Sequence, residues 1–175
     1  KRYDIAIMST KGLSVTAARQ LVDDICSHGD VPLLIVRDFD KAGFSIAGTL
    51  QKDTRRYTFG NDIHVVDLGL RLADIEKWEL ESETVNYGKT TPTRNLRQNG
   101  ATPEEIEFLY HGCMNYDTGH SGRRVELNAF TSDQFVAWLE SKLDEVGIQK
   151  VVPDDLTLAI GYLRAVKIAR IEQML

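Results

Sequence analysis

The chain has 175 residues, 42% hydrophobic and 27% charged, a globular composition long enough for one substantial core. Its 26 acidic and 21 basic side chains leave a net charge of −5, which excludes a generally basic nucleic-acid coat but not a local cationic patch that meets phosphates. Cys26 and Cys113 lie outside any CxxC pattern, no apolar run approaches the roughly 18 residues of a membrane span, and no signal peptide opens the chain; a soluble, cytoplasmic protein with no disulfide framework, zinc knuckle or membrane partner is expected.

In chain order, residues 3–8 are apolar enough for a first strand that begins almost at Lys1, so the chain is expected to be a piece excised from a longer protein. The turn Ser9-Thr10-Lys11-Gly12 leads to a helix over 14–26 with Ser14 as N-cap and Val15, Ala18, Leu21, Val22 and Ile25 on its buried face. His28-Gly29-Asp30 closes that helix before an apolar strand over 31–36. After Lys41-Ala42-Gly43 a helix is predicted over 44–52, where Ala47 and Gly48 permit close packing on a sheet, and a third strand follows over 63–68.

Residues 71–124 read as a helix-and-loop insertion, with a short helix over 72–80 and polar, turn-rich loops over 84–100 and 115–124. Within it Thr102-Pro103-Glu104-Glu105 is a strong helix start, Thr102 and Glu105 forming a capping box around Pro103 at the first helical position; that helix runs to about Tyr110. A short strand is predicted over 125–129, then an amphipathic helix opened by Ser132 and ended by Gly147, and a last helix over about 154–175 that packs on the rest. Alternating strands and helices predict an α/β fold with a mostly parallel, Rossmann-like sheet flanked by helices, residues 1–150 forming the domain.

The chemistry concentrates at Asp38-Phe39-Asp40. In an extended segment alternate side chains share a face, so Asp38 and Asp40 are predicted to emerge together while Phe39 turns into the interior. Ligands of open parallel sheets collect at the carboxyl ends of strands, and Mg2+ needs only one or two carboxylates beside water and substrate phosphate. Asp38 and Asp40 are therefore the candidate metal ligands, for Mg2+ or Mn2+. Lys11 and Gly12 lie where backbone amides and an ammonium can meet a phosphate, although the GxxxxGK[ST] spacing is absent. Lys41 either pairs with the acids or touches substrate. Glu126 and Asn128 share a face of the predicted 125–129 strand and can add polar contacts. Arg55, Arg56, Arg94, Arg97, Arg123 and Arg124 are candidates for phosphate contacts, and none of the six tyrosines stands beside an evident activating group.

These residues, taken together, resemble a known family. The turn Ala6-Ile7-Met8-Ser9-Thr10-Lys11-Gly12, the helix with Ala18-Arg19, the segment Val36-Arg37-Asp38-Phe39-Asp40-Lys41-Ala42-Gly43, then Leu68-Gly69-Leu70-Arg71 with Asp74-Ile75, and Arg124-Val125-Glu126-Leu127-Asn128-Ala129 follow in order the Toprim domain of topoisomerase VI A subunits and of the meiotic double-strand-break transesterases. The resemblance spans most of residues 3–146.

It implies a Toprim fold and Mg2+-dependent DNA transesterification, an isomerase chemistry in which a tyrosine of a winged-helix domain attacks a phosphodiester while the Toprim acids hold metal. By the same resemblance Asp38 and Asp40 are the acidic pair, Lys11 and Gly12 the turn after the preceding strand, and Glu126 the late acidic residue. DNA, a second copy of the chain and an ATPase subunit are the implied partners. The chain departs from the family pattern at Lys41, where the family has proline, and at Asn128, where it has a second glutamate. The family's upstream glutamate and its winged helix lie before the position of Lys1, so this piece alone is expected not to cleave DNA. Two other readings remain: a Toprim nuclease in which metal activates water, and a module that serves only DNA binding or assembly.

Overall fold

The structure is a computed structural model that describes residues 3, 5–9, 15–27, 29, 31–50, 52, 53, 55–88, 91–115, 119–151 and 155–172. The chain divides into two compact units, Ser9–Lys142 and a smaller one made of Lys1–Met8 with Leu143–Leu175. Among the described residues the architecture is mixed α/β, with two small sheets among helices.

In the larger unit, helix α1 (Val15–Cys26) precedes strand β1 (Leu33–Ile35), helix α2 (Lys41–Leu50) and strand β2 (Val65–Asp67). β1 and β2 pair in parallel, Leu33 opposite Val65 and Ile35 opposite Asp67, so the expected strand-helix-strand unit is present. The pairing continues past the strand ends, Leu68 and Leu70 donating backbone N–H to the carbonyls of Ile35 and Arg37 at 2.8 and 3.1 Å. Ser14, His28 and Asp30, predicted to bound α1, lie outside the described residues.

The buried face of α1 is rotated by one position from the one expected. Ala18, Arg19, Val22, Asp23 and Cys26 are buried, whereas Leu21 and Ile25 are exposed. Hydrogen bonding explains the rotation, because a buried polar group must be paired. Arg19 Nη2 donates to Thr49 O at 2.6 Å, and the Asp23 carboxylate accepts from the backbone N–H of Gly60 and Asn61, from Asn61 Nδ2 and from the Tyr57 hydroxyl.

After β2 come α3 (Leu72–Trp78), β3 (Glu83–Gly88), α4 (Thr93–Gln98), α5 (Pro103–Leu109), β4 (Gly112–Asn115) and β5 (Gly119–Arg124). The capping box before α5 is formed as predicted, Glu105 N–H donating to Thr102 Oγ1 at 3.2 Å and Thr102 N–H to Glu105 Oε2 at 2.9 Å. The loops expected over 84–100 and 115–124 are instead a three-stranded antiparallel sheet of order β3-β5-β4, together with α4. The larger of the two sheets is therefore antiparallel, and the expectation of a mostly parallel sheet is corrected. β5 reads as a loop because Gly122 serves close approach: a Cβ there would run into the backbone carbonyl of Leu109.

The strand expected over 125–129 is also absent. Val125 makes a single antiparallel bridge to Phe39, and Leu127–Ala129 form a 3-10 turn. Helix α6 (Ser132–Glu145) is as predicted, but its cap is Thr131: Gln134 N–H donates to Thr131 Oγ1 and Thr131 N–H to Gln134 Oε1. Two apolar clusters fill the larger unit. Phe39, Phe44, Leu70, Leu96, Leu109, Val125 and Trp138 belong to one, and Val22, Cys26, Ile35, Ala47 and Leu50 to the other. α2 serves both, Phe44 on one side and Ala47 and Leu50 on the other.

In the smaller unit, the described residues of 3–8 form no strand, and Ile7 is 90% exposed, too exposed for an inner strand. Helix α7 (Asp155–Glu172) carries exposed Leu156, Tyr162 and Leu163. Among the described residues no helix is long and apolar enough to cross a membrane.

Candidate functional site

Asp38-Phe39-Asp40 leaves the end of β1 with the alternation expected of an extended segment. Phe39 is fully buried, edge-on to Phe44 and Phe108 at ring separations of 5.8 and 5.6 Å, while Asp38 and Asp40 are half-buried. Phe39 N–H donates to Val125 O at 2.8 Å and Val125 N–H to Phe39 O at 3.1 Å. That reciprocal pair draws the end of β5 against the acidic segment.

The two carboxylates are then held differently. Asp38 Oδ1 accepts the backbone N–H of Leu127 at 2.7 Å, reaching into the segment after Val125. Asp40 Oδ1 accepts the N–H of Gly43 at 2.6 Å, the bond of an N-cap aspartate to the third helical residue. α2 accordingly begins at Lys41, three residues before the predicted start. Gly43 is also where the helix passes the Asp38 carbonyl closely, since a Cβ there would collide with Asp38 O.

A cavity of about 350 Å³ opens beside Asp40, lined by Asp40, Lys41, Ala42, Ser45, Val85, Tyr87 and Arg124. One wall is the first turn of α2; Val85 and Tyr87, two apart on β3, form another. Ser45 Oγ lies 2.8 Å from both Lys41 O and Asn95 Oδ1. Lys41 lines the cavity next to Asp40, and among the described residues it makes no ion pair. Burial, reinforced by the Asp40 carboxylate, pushes the Tyr87 phenol up to about 12.

Glu126 is brought to the rim through Arg124. Arg124 Nη2 contacts Glu126 Oε1 and Glu83 Oε2, each at 2.9 Å, and Asn128 Nδ2 donates to Glu126 Oε2 at 3.0 Å. Its hydrogen bond to Glu83, with Glu126 and Asp40 nearby, pushes the Arg124 guanidinium above its ordinary value. Behind the site, buried Arg37 makes a bidentate pair with Asp67, Nη2 to Oδ2 at 2.7 Å and Nε to Oδ1 at 3.0 Å, and lies 3.8 Å from the Phe44 ring centre. Arg71 joins Asp67 to Glu105. This network ties the end of β1 to the end of β2.

The donors fit a hard cation only in a spare form. Among the described residues the Oδ2 atoms of Asp38 and Asp40 have no hydrogen-bond partner, while both Glu126 oxygens are engaged. Asp40 lines the cavity and Asp38 does not. Among the described residues no group of three or more His, Cys, Asp and Glu is placed to hold a metal ion.

Of the other sequence candidates, Lys11 and Gly12 lie outside the described residues. Arg123 stacks on Phe108 at 4.0 Å, and Arg55, Arg56, Arg94 and Arg97 are exposed, away from the cavity lining. Tyr87, Val85 and Ser45 were not predicted. The alternation in Thr84-Val85-Asn86-Tyr87, half-buried at Val85 and Tyr87, is the signal that marks β3. His120 has a partner that sequence spacing hides, its Nδ1 lying 2.7 Å from the Tyr110 hydroxyl. Compared with family models, curated proteins and solved structures, the chain matches none of them.

Proposed function

We propose that this chain is a Mg2+-binding, Toprim-type module of a topoisomerase VI A-like protein that cleaves DNA by transesterification in the cytoplasm, acting as a homodimer with an ATPase subunit. One observation carries the reading: the Phe39–Val125 bridge joins two separate segments of the resemblance, and Asp40 and Arg124 line one cavity, with Glu126 paired to Arg124.

Asp40, with Asp38 beside it in the chain, would hold the metal through Oδ2, Oδ1 of each being spent on a backbone amide. When bound, Mg2+ supplies a positive centre that stabilises the charge growing on a phosphodiester as its ester bond breaks. Lys41 offsets phosphate charge from the start of α2, where helix N–H groups also favour an anion. Glu126 acts indirectly, fixing Arg124 at the rim.

Calorimetric titration with Mg2+ and Mn2+ tests the metal site. The chain is expected to bind one ion, and Asp40→Asn to weaken it at least ~10-fold with the melting curve unchanged; no metal binding by the unsubstituted chain overturns the reading. In the longer protein, DNA ends covalently bound to protein identify a transesterase. Free 5′ phosphates instead identify a hydrolytic nuclease, and intact DNA a binding module.

A further inference from the structure

The cavity has two chemically different walls. Asp40 and Lys41, at the start of α2, make one, both charged; Val85 and Tyr87 of β3 make the other, with Arg124 of the adjoining β5 beside them. Tyr87 presents its ring to this space, and its hydroxyl is closed off from solvent with no hydrogen-bond partner among the described residues. The ring lies over Gly122 of the central strand, where a Cβ would come within 2.9 Å of Tyr87 Cε2.

The backbone holds the ring there. The β3–β5 register shifts between Asn86 and Gly88, so Tyr87 sits in a bulge; Gly88 takes the left-handed φ of +63° that such a turn demands, and its N–H is tied to Asn86 Oδ1 at 2.8 Å. With its hydroxyl sealed off, Tyr87 offers the cavity its ring rather than a polar group. A space of about 350 Å³ is within the range of small-molecule sites, and a charged wall facing an aromatic one matches a ligand with a phosphate at one end and a planar ring at the other.

We propose that the cavity binds a nucleoside phosphate unit, the phosphate against Lys41 and any metal on Asp40, and the base or sugar against the face of Tyr87. This rests on the metal-and-phosphate reading above and adds the recognition of the nucleoside. The same chemistry is offered by a free nucleotide and by one unit of a DNA strand.

Binding of inorganic phosphate, deoxythymidine 5′-monophosphate and a short oligothymidylate is measured by calorimetry in Mg2+ on the full chain, with Tyr87→Phe and Tyr87→Leu compared and their folding checked by circular dichroism and melting. The nucleotide is expected to bind about tenfold more tightly than phosphate, Tyr87→Phe to keep that gain, and Tyr87→Leu to lose it while still binding phosphate. A tighter oligothymidylate assigns the site to a strand, and equal or weaker binding of it to the free nucleotide; either supports the proposal. Equal affinity for phosphate and nucleotide overturns it, as does loss of the gain in Tyr87→Phe. Because the metal titration is separate, metal and phosphate binding without a nucleoside preference defeats this inference alone, whereas absence of metal binding defeats the reading beneath it.

Discussion

Phe39 and Val125 exchange two backbone hydrogen bonds, at 2.8 and 3.1 Å, and both side chains are fully buried. The bridge and the burial are one arrangement: the inward turn of Phe39 is what leaves Asp38 and Asp40 on the outer side of the same short segment. Phe39→Ala should therefore destabilise the chain by about 3–5 kcal/mol, through lost burial and the cavity left between Phe44 and Phe108. Urea unfolding followed by tryptophan fluorescence measures it. A loss well under 1 kcal/mol would mean that the ring does not support this core.

The Arg37–Asp67 pair invites a different experiment. Arg37 is 4% exposed, so removing its partner leaves a buried guanidinium without its main counter-charge. Asp67→Ala should cost about 3 kcal/mol or more, whereas Arg37→Leu combined with Asp67→Leu should cost less than the single change, because two apolar groups need no pairing. Denaturant midpoints of the three chains decide it; a double variant less stable than Asp67→Ala contradicts the account.

Stability should fall in acid through Asp23. The backbone N–H of Gly60 and the side chain of Asn61, aided by Tyr57, hold its carboxyl below the ordinary value of 3.8. A group whose folded pKa is depressed contributes stability that is complete above its unfolded value and is lost as pH drops through the folded one. The contribution is therefore present at neutral pH and disappears below about pH 4. Asp23→Asn should flatten the acid limb of a melting-temperature-against-pH curve; an unchanged limb would show that the carboxylate contributes nothing there.

At the alkaline end Tyr87 gives the opposite sign. Its pKa is raised to about 12, so the folded state holds the phenolic proton longer than the unfolded chain does, and stability declines as pH rises from about 10 towards 12. Ultraviolet titration should show a late-ionising tyrosine that is missing in Tyr87→Phe. Should Tyr87→Phe leave the late step intact, another tyrosine carries it.

The strand-helix-strand unit around β1, α2 and β2 was legible because its apolar runs are continuous and its punctuation is sharp. Phe39 inside and the capping box at Thr102 were legible for the same reason, each being a local rule with one satisfying geometry. What escaped depends on partners far along the chain. Arg19 and Asp23 rotate α1 because Thr49 and the 57–61 loop satisfy them, which no helical periodicity reveals. β5 is polar and glycine-rich, yet central in its sheet, because Leu109 passes too near Gly122 for any side chain. Asp38 and Asp40 were legible as a pair of acids, but not that one caps α2 while the other reaches Leu127, which divides their roles.

The cavity draws its walls from residues 40–45 on one side and from 85, 87 and 124 on the other. During synthesis the acidic segment leaves the ribosome long before Arg124 and Val125 exist to close against it. Closing so long a loop is entropically slow. The nascent chain therefore carries its acids without Arg124 beside them until β5 has docked, so that the cavity forms late and all at once rather than growing with the chain.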